Sequence, residues 1–252
     1  MNLSKSVIKL VFPPHCAACR TLLPFDGDGG EVALCLDCRA AFERAKIACC
    51  PFCGAAMLDC RCLPPSLERA GVIELIRLAE YDSSWRQDER EVINRIVNNL
   101  KKTNSRDAFD FLASQLVLPL RRRLGERGVE LSECVICCCP RRASAKYEHG
   151  FDQAEQLAKS IAAHSGAEYS RLLARRPFSE SREQKMLTAA ERYENVKDAI
   201  RPTSAAKKIS GRTVLLVDDV VTTGATLAAC AEILRDAGAG ALFAACIAAV
   251  GK

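Results

Sequence analysis

At 252 residues the chain has room for one ordinary domain and a small companion. No apolar stretch is long enough to span a bilayer, so membrane insertion is not expected. The formal net charge of +5 invites a nucleic-acid reading, but fifteen cysteines complicate that sum.

The cysteines come first in chain order. Met1 to Leu10 holds two lysines, but Val11-Phe12-Pro13-Pro14 cuts the apolar stretch short, so no secretory leader is expected. A cytoplasmic location follows, where thiols stay reduced and paired cysteines usually signal metal. Cys16-x-x-Cys19 and Cys35-x-x-Cys38 form one set, with fifteen residues between the pairs. Cys50-x-x-Cys53 and Cys60-x-Cys62 form a second, in which Cys49 is an alternative to Cys50. Two tight turns of paired thiolates complete a tetrahedron around one Zn²⁺. Two closed, structural Cys₄ zinc sites are therefore expected, with a disulfide framework ranked well below them. They would hold a turn-rich segment of about sixty residues that is too small to build a good core unaided. Pro64-Pro65 marks its end. Eight thiolates and two Zn²⁺ together would lower the net charge of +5 to about +1. Bulk charge then argues little for nucleic acid.

From Val72 to Leu120 the spacing of apolar residues predicts helices. Val92, Ile93, Ile96, Val97 and Leu100 share one face, as do Phe109, Leu112, Leu116 and Leu120. Cys134 to Cys139 reads as a strand ending at Pro140, and Phe151 to Ala163 as a helix after Gly150. Most basic clusters (Lys101-Lys102, Arg121 to Arg123, Lys207-Lys208) read as solvated faces or helix ends. Val214 to Val217 is a strand of the kind buried on both faces, Ala225 to Ala237 a helix, and Ala239 to Val250 a last core strand. The alternation predicts an α/β domain with a mostly parallel sheet, preceded by the double zinc ribbon. The expected divisions are 1–65 for the ribbons, 66–125 for a helical linker or hood, and 126–252 for the α/β domain.

The most informative stretch is 214–226. Asp218 and Asp219 close an apolar strand, and Thr222, Thr223, Gly224 and Thr226 lead into a helix. Ligands of open α/β sheets bind at the carboxyl ends of strands. Adjacent carboxylates can accept hydrogen bonds from a vicinal diol and help hold Mg²⁺. A glycine turn lets backbone approach a ligand, and a helix N-terminus attracts phosphate. An ordinary βα turn with solvated acids is the plain alternative. There is no Gly-x-x-x-x-Gly-Lys-Ser/Thr, which excludes a P-loop.

This stretch resembles the phosphoribosyl pyrophosphate (PRPP) loop of type I phosphoribosyltransferases. With the cysteine pairs, the chain looks like a member of the ComF family. Further matches are Val7 to Pro14, Leu100-Lys101, Pro140 with Arg142, Gly150-Phe151-Asp152-Gln153, and the set Gln184, Leu187, Arg192 and Asn195. The resemblance implies a type I phosphoribosyltransferase-like domain. Asp218 and Asp219 would be the catalytic pair, holding the ribose diol. Val220, Val221, Thr222, Thr223, Gly224, Ala225 and Thr226 would complete the PRPP-binding stretch. Arg142 and Lys146 are the pyrophosphate candidates, and Mg²⁺ would enter with PRPP. Ser179 to Asn195 occupies the place of a mobile loop.

The chain departs from the family in several places. Cys137-Cys138-Cys139 stands where Val-Pro-Val is usual, His149 replaces arginine and Asp152 replaces asparagine. The three cysteines read as small buried hydrophobes, with a redox-sensitive edge of lowered thiol pKa as the alternative. Purine-salvage enzymes carry an acid where this chain has Thr222, which argues against purine salvage. No nucleophilic cysteine suggests glutamine use. The acceptor is left open, as is a homodimer. A second reading, also implied by the resemblance, is a protein that handles single-stranded DNA during DNA uptake, with PRPP regulatory or unused. Aromatic residues at 6% make stacking platforms scarce.

Overall fold

The computed structural model describes residues 13–24, 33–81, 91–141, 150–176 and 197–250. The helices are α1 (Leu36–Ile47), α2 (Pro65–Arg69), α3 (Glu91–Leu100), α4 (Arg106–Gly125), α5 (Gln153–Ser165) and α6 (Ala225–Asp236). The strands are β1 (Val72–Tyr81), β2 (Val135–Cys138), β3 (Glu168–Tyr169), β4 (Leu173–Arg175), β5 (Ile200–Pro202), β6 (Thr213–Val217), β7 (Val220–Val221) and β8 (Ala241–Val250).

Six strands form one parallel sheet in the order β1-β8-β6-β2-β3, with β7 also paired to β8. Parallel neighbours need long crossovers, and helices supply them. In β6, Val214 and Leu216 face one core while Leu215 and Val217 face the other. Helices α3, α4 and α5 cover the second face, and α2 and α6 cover the first. Burial on both faces explains the unbroken apolar runs. A small antiparallel pair, β4 with β5, stands apart.

The sequence reading failed at Val72 to Tyr81. This segment lies in the span expected to be helical, yet it is a ten-residue strand paired with β8. Val-Ile-Glu-Leu-Ile-Arg-Leu-Ala is apolar at spacings that suit either a buried helix or a buried strand. Two charged residues within it, Glu74 and Arg77, are also buried, because each has a partner in the cysteine-rich region or beside it.

Both cysteine-rich segments pack into the α/β domain. Phe42 of α1 meets Phe111 of α4 at a ring distance of 5.3 Å. The Asn99 amide, near the end of α3, donates to the carbonyls of Ala17 and Ala18 at 2.9 and 2.8 Å. The second segment has a minute core of Cys50, Met57 and Cys60, and it leans on β1. There the Arg77 guanidinium donates to Cys60 Sγ at 3.0 Å. The Glu74 carboxylate accepts from Arg123 at 2.9 Å, both side chains being almost wholly buried, with the more exposed Arg61 and Arg127 nearby.

Removing one member of a buried ion pair strands the other. Arg123→Met is therefore expected to lower unfolding stability by about 3 kcal/mol, the low end for such pairs because Arg61 and Arg127 remain. Urea denaturation checks this, and adding Glu74→Gln should recover part of the loss.

Candidate phosphoribosyl site and metal centres

Because the large sheet is parallel, its strands all end on the same edge, and a cavity of about 390 Å³ opens there. Tyr81 comes from the end of β1, and Cys139, Pro140 and Arg141 follow β2. Asp218 and Asp219 follow β6, and Thr222 and Thr226 come from the turn into α6. Asp152, Gln153 and Ala154 at the start of α5, Lys101 after α3 and Arg175 of β4 complete the wall.

Asp218 and Asp219 join β6 to β7, with a bend at Asp219, and the chain keeps its register with β8 across them. Asp218 N donates to Ala245 O, and Ile247 N donates to Asp219 O. Each carboxylate also accepts from the next backbone N–H, at 2.9 Å for Asp218 and 2.8 Å for Asp219. Asp218 is enclosed by protein apart from its opening to the cavity. This burial, reinforced by the charge of Asp219, pushes its carboxyl well above the usual range.

The turn that follows ends in Gly224 at φ 74°, which caps α6 without a side chain. Of the first-turn N–H groups of α6, that of Ala225 donates to Thr223 Oγ1 at 3.4 Å, and Gly224 supplies no acceptor for the others, the condition in which a helix N-terminus receives an anion. Thr222, Thr226, Asp218, Asp219 and Val220 line the cavity. Val221 and Gly224 are buried, Thr223 is exposed and Ala225 is half-buried.

Arg142 and Lys146 lie outside the described residues, as do His149 and the set Gln184, Leu187, Arg192 and Asn195. Arg141 is described. Its backbone N–H donates to Asp152 Oδ2 at 3.2 Å, while its Nη1 is buried without a hydrogen-bond partner among the described residues. Asp152 also caps α5, accepting from Glu155 N at 3.3 Å. Lys101, Arg175 and Tyr81 were not expected in the site. Lys101 had a sequence signal, since it ends the Leu100-Lys101 pair, whereas Arg175 and Tyr81 had none.

Cys137, Cys138 and Cys139 are buried. Burial holds all three thiols above their ordinary range; Cys138, with the charge of Asp152 adding to the effect, reaches about 12. The redox-sensitive edge expected as an alternative is therefore overturned, because it required lowered values. The three act as small core hydrophobes.

The structure gathers Cys16, Cys19, Cys35 and Cys38 into one group and Cys50, Cys53, Cys60 and Cys62 into another, with all sulfurs of a group within 4.8 Å of one another. Tetrahedral zinc with bonds near 2.3 Å places sulfurs about 3.8 Å apart. The separations Cys19–Cys35 of 3.6 Å, Cys53–Cys60 of 3.6 Å and Cys50–Cys62 of 4.0 Å fit that size. Cys50, not Cys49, belongs to the second group, and Cys49 is exposed. Arg77 brings positive charge to the second group.

Residues 149–252 match the model of the phosphoribosyl transferase domain. The chain is 26% identical to the DNA utilization protein YhgH of Escherichia coli K12, over 94% of this chain and 98% of that protein. A stretch of 93 residues is 38% identical to a ribose-phosphate pyrophosphokinase of Methanopyrus kandleri, covering 37% of this chain and 26% of that one. Among solved structures, a hypoxanthine phosphoribosyltransferase of Staphylococcus aureus aligns at 15% identity and TM-score 0.31, over 56% of this chain and 63% of the other. Among the described residues, no helix is long and apolar enough to cross a membrane. Two Cys₄ groups fit for zinc stand ahead of a phosphoribosyl transferase domain, and the similarity to YhgH runs nearly end to end, the arrangement that the resemblance to the ComF family implies.

Proposed function

We propose that the cavity binds Mg²⁺-PRPP and that the protein, working in the cytoplasm with zinc in both Cys₄ groups, transfers the phosphoribosyl group to an acceptor. The observation that carries this reading is the arrangement of charge around one cavity. The Asp218-Asp219 pair and the start of α6, where Gly224 brings no capping side chain, lie on one side, and Lys101, Arg141 and Arg175 supply cations. The 5′-phosphate sits in the Thr222–Thr226 turn, and Asp218 and Asp219 accept from the ribose O2 and O3 hydroxyls. Arg141, whose buried Nη1 lacks a partner, faces the pyrophosphate together with Lys101; Arg142 and Lys146 remain candidates beside them. Breaking the bond from ribose C1 to pyrophosphate builds negative charge on the leaving oxygens, and fixed cations around them lower that barrier. Mg²⁺, when bound, neutralises part of the same charge.

A second reading is favoured by another surface. Arg20, Arg95, Asn98, Asn99, Lys101 and Lys102 line an open groove of about 750 Å³ beside the first cysteine group. Lys101 belongs to this groove and to the cavity alike. The relatives named DNA utilization proteins make a single-stranded phosphate backbone the fitting occupant.

Calorimetric titration tests the first reading. Asp218→Asn/Asp219→Asn is expected to weaken Mg²⁺-PRPP binding by about 100-fold, the size of two lost charge-assisted hydrogen bonds. Absence of binding by folded wild type rejects it. The same change should raise thermal stability at neutral pH. The native state holds the Asp218 proton more tightly than the unfolded chain does, so ionisation at neutral pH costs stability that a neutral Asn does not. That gain should vanish as pH falls to about 4, where the unfolded carboxyl is itself protonated.

For the second reading, Arg20→Ala/Lys102→Ala should weaken oligonucleotide binding. It should also flatten the slope of log affinity against log salt by about 1.4, with PRPP affinity unchanged. Elemental analysis should find two zinc ions per chain, falling to one in Cys38→Ser.

A further inference from the structure

We propose that Ser66 is a positioning residue for the phosphate loop, and that through it the second cysteine group sets the loop's geometry. This rests on the reading that the Thr222–Thr226 turn takes a 5′-phosphate.

Ser66 is remote in sequence from the loop and is not among the described residues that line the cavity. Yet its Oγ donates to the carbonyl of Thr223 at 2.9 Å. The Thr223–Gly224 peptide is trans, since the described chain has no cis peptide bond. In a trans peptide the C=O and the next N–H point in opposite directions. Fixing the Thr223 carbonyl toward Ser66 therefore aims the Gly224 N–H to the other side of the loop. Without that bond, the peptide plane can rotate and the N–H loses its direction.

Steric contact reinforces the hydrogen bond. A Cβ placed on Gly224 would come within 2.8 Å of Ser66 Oγ, 3.2 Å of Leu67 Cγ and 3.4 Å of Pro64 Cβ. The glycine is needed for its positive φ, and also because α2 presses directly against the loop. Leu67 is wholly buried in the core that holds Leu227, Ala228 and Ala231 of α6, so α2 cannot drift from the helix it braces.

The brace is tied to the second cysteine group by very little chain. Ser66 follows Cys62 by four residues, and two of the three between them are Pro64 and Pro65. Proline fixes φ and leaves little slack. At the other end, Cys60 is anchored to β1 through Arg77, and the backbone N–H of Cys62 donates to Cys60 Sγ at 3.4 Å. The loop is thus held between its own strand and a strut that starts at a metal-ligating turn.

The test uses the full-length, zinc-loaded protein and calorimetric titration with Mg²⁺-PRPP, ribose 5-phosphate and inorganic pyrophosphate. Ser66→Ala is expected to weaken both sugar phosphates about tenfold, the worth of one misdirected hydrogen bond to a charged group, and to leave pyrophosphate unaffected. Ser66→Thr, which keeps the hydroxyl, should bind all three as wild type does. Equal weakening of all three probes with a lowered melting temperature would mean a merely structural role and overturn the proposal. So would unchanged binding by Ser66→Ala. Wild type that binds neither sugar phosphate overturns the phosphoribosyl reading and this one together, whereas normal wild-type binding that Ser66→Ala leaves untouched overturns this one alone.

Discussion

Strand β8 is the constraint on which the rest of the structure depends. It is the only described strand paired with β1, β6 and β7 together, and every pairing is parallel. Parallel pairing fixes direction, so the ends of β1 and β6 must emerge on the same edge. It also fixes register. Val217 lies opposite Ala245 and Val220 opposite Ala248, so the intervening Asp218 and Asp219, with the bend between the strands, are held against β8 by the pairing on either side. Two adjacent carboxylates at a strand end repel one another, and continuous backbone pairing keeps them in place despite this. Alanines at 241, 244, 245, 248 and 249 keep the middle of the sheet thin, while larger residues from the helices fill both cores.

The cysteine-rich segments are parts of this core and not appendages. Cys16, Ala18, Leu34 and Phe42 belong to the same cluster as Ile93, Leu116 and Leu215. The second segment has only three residues in a core of its own and relies on charge at β1. Buried Glu74 and Arg77 on one strand face the cysteine-rich side, one carrying negative charge toward arginines and the other positive charge toward thiolates. Such an arrangement ties the second cysteine group to the sheet electrostatically where apolar area is scarce.

Much of this was legible in the sequence because it is local. The paired cysteines, the strand with its Asp-Asp end, the glycine turn and α6 each lie within a short window, and their residue types carry their chemistry. What was not legible is long-range. Val72–Tyr81 reads like the helices that follow it because a double-buried strand has no alternation to betray it, and its charged residues are explained only by partners such as Cys60, Arg61 and Arg123. Lys101, Arg175 and Tyr81 reach the cavity from three separate elements. Ser66 meets Thr223 across 157 positions of sequence. The three consecutive cysteines at 137–139 suggested reactivity beside basic residues; burial decides the matter, and burial is a property of the fold.

The distribution of thiols has one more consequence. Eight cysteines are gathered in the two metal-sized groups, and Cys134, Cys137, Cys138, Cys139, Cys230 and Cys246 are buried. That leaves Cys49, which is exposed and belongs to neither group. With both groups metal-loaded, a cysteine-rich chain presents a single addressable sulfur, next to the second cluster and on the same segment that leads to Ser66 and the Gly224 turn. A fluorophore attached there would report on the metal-bearing end of the molecule without any engineered cysteine, and the unmodified sequence already carries its own label site.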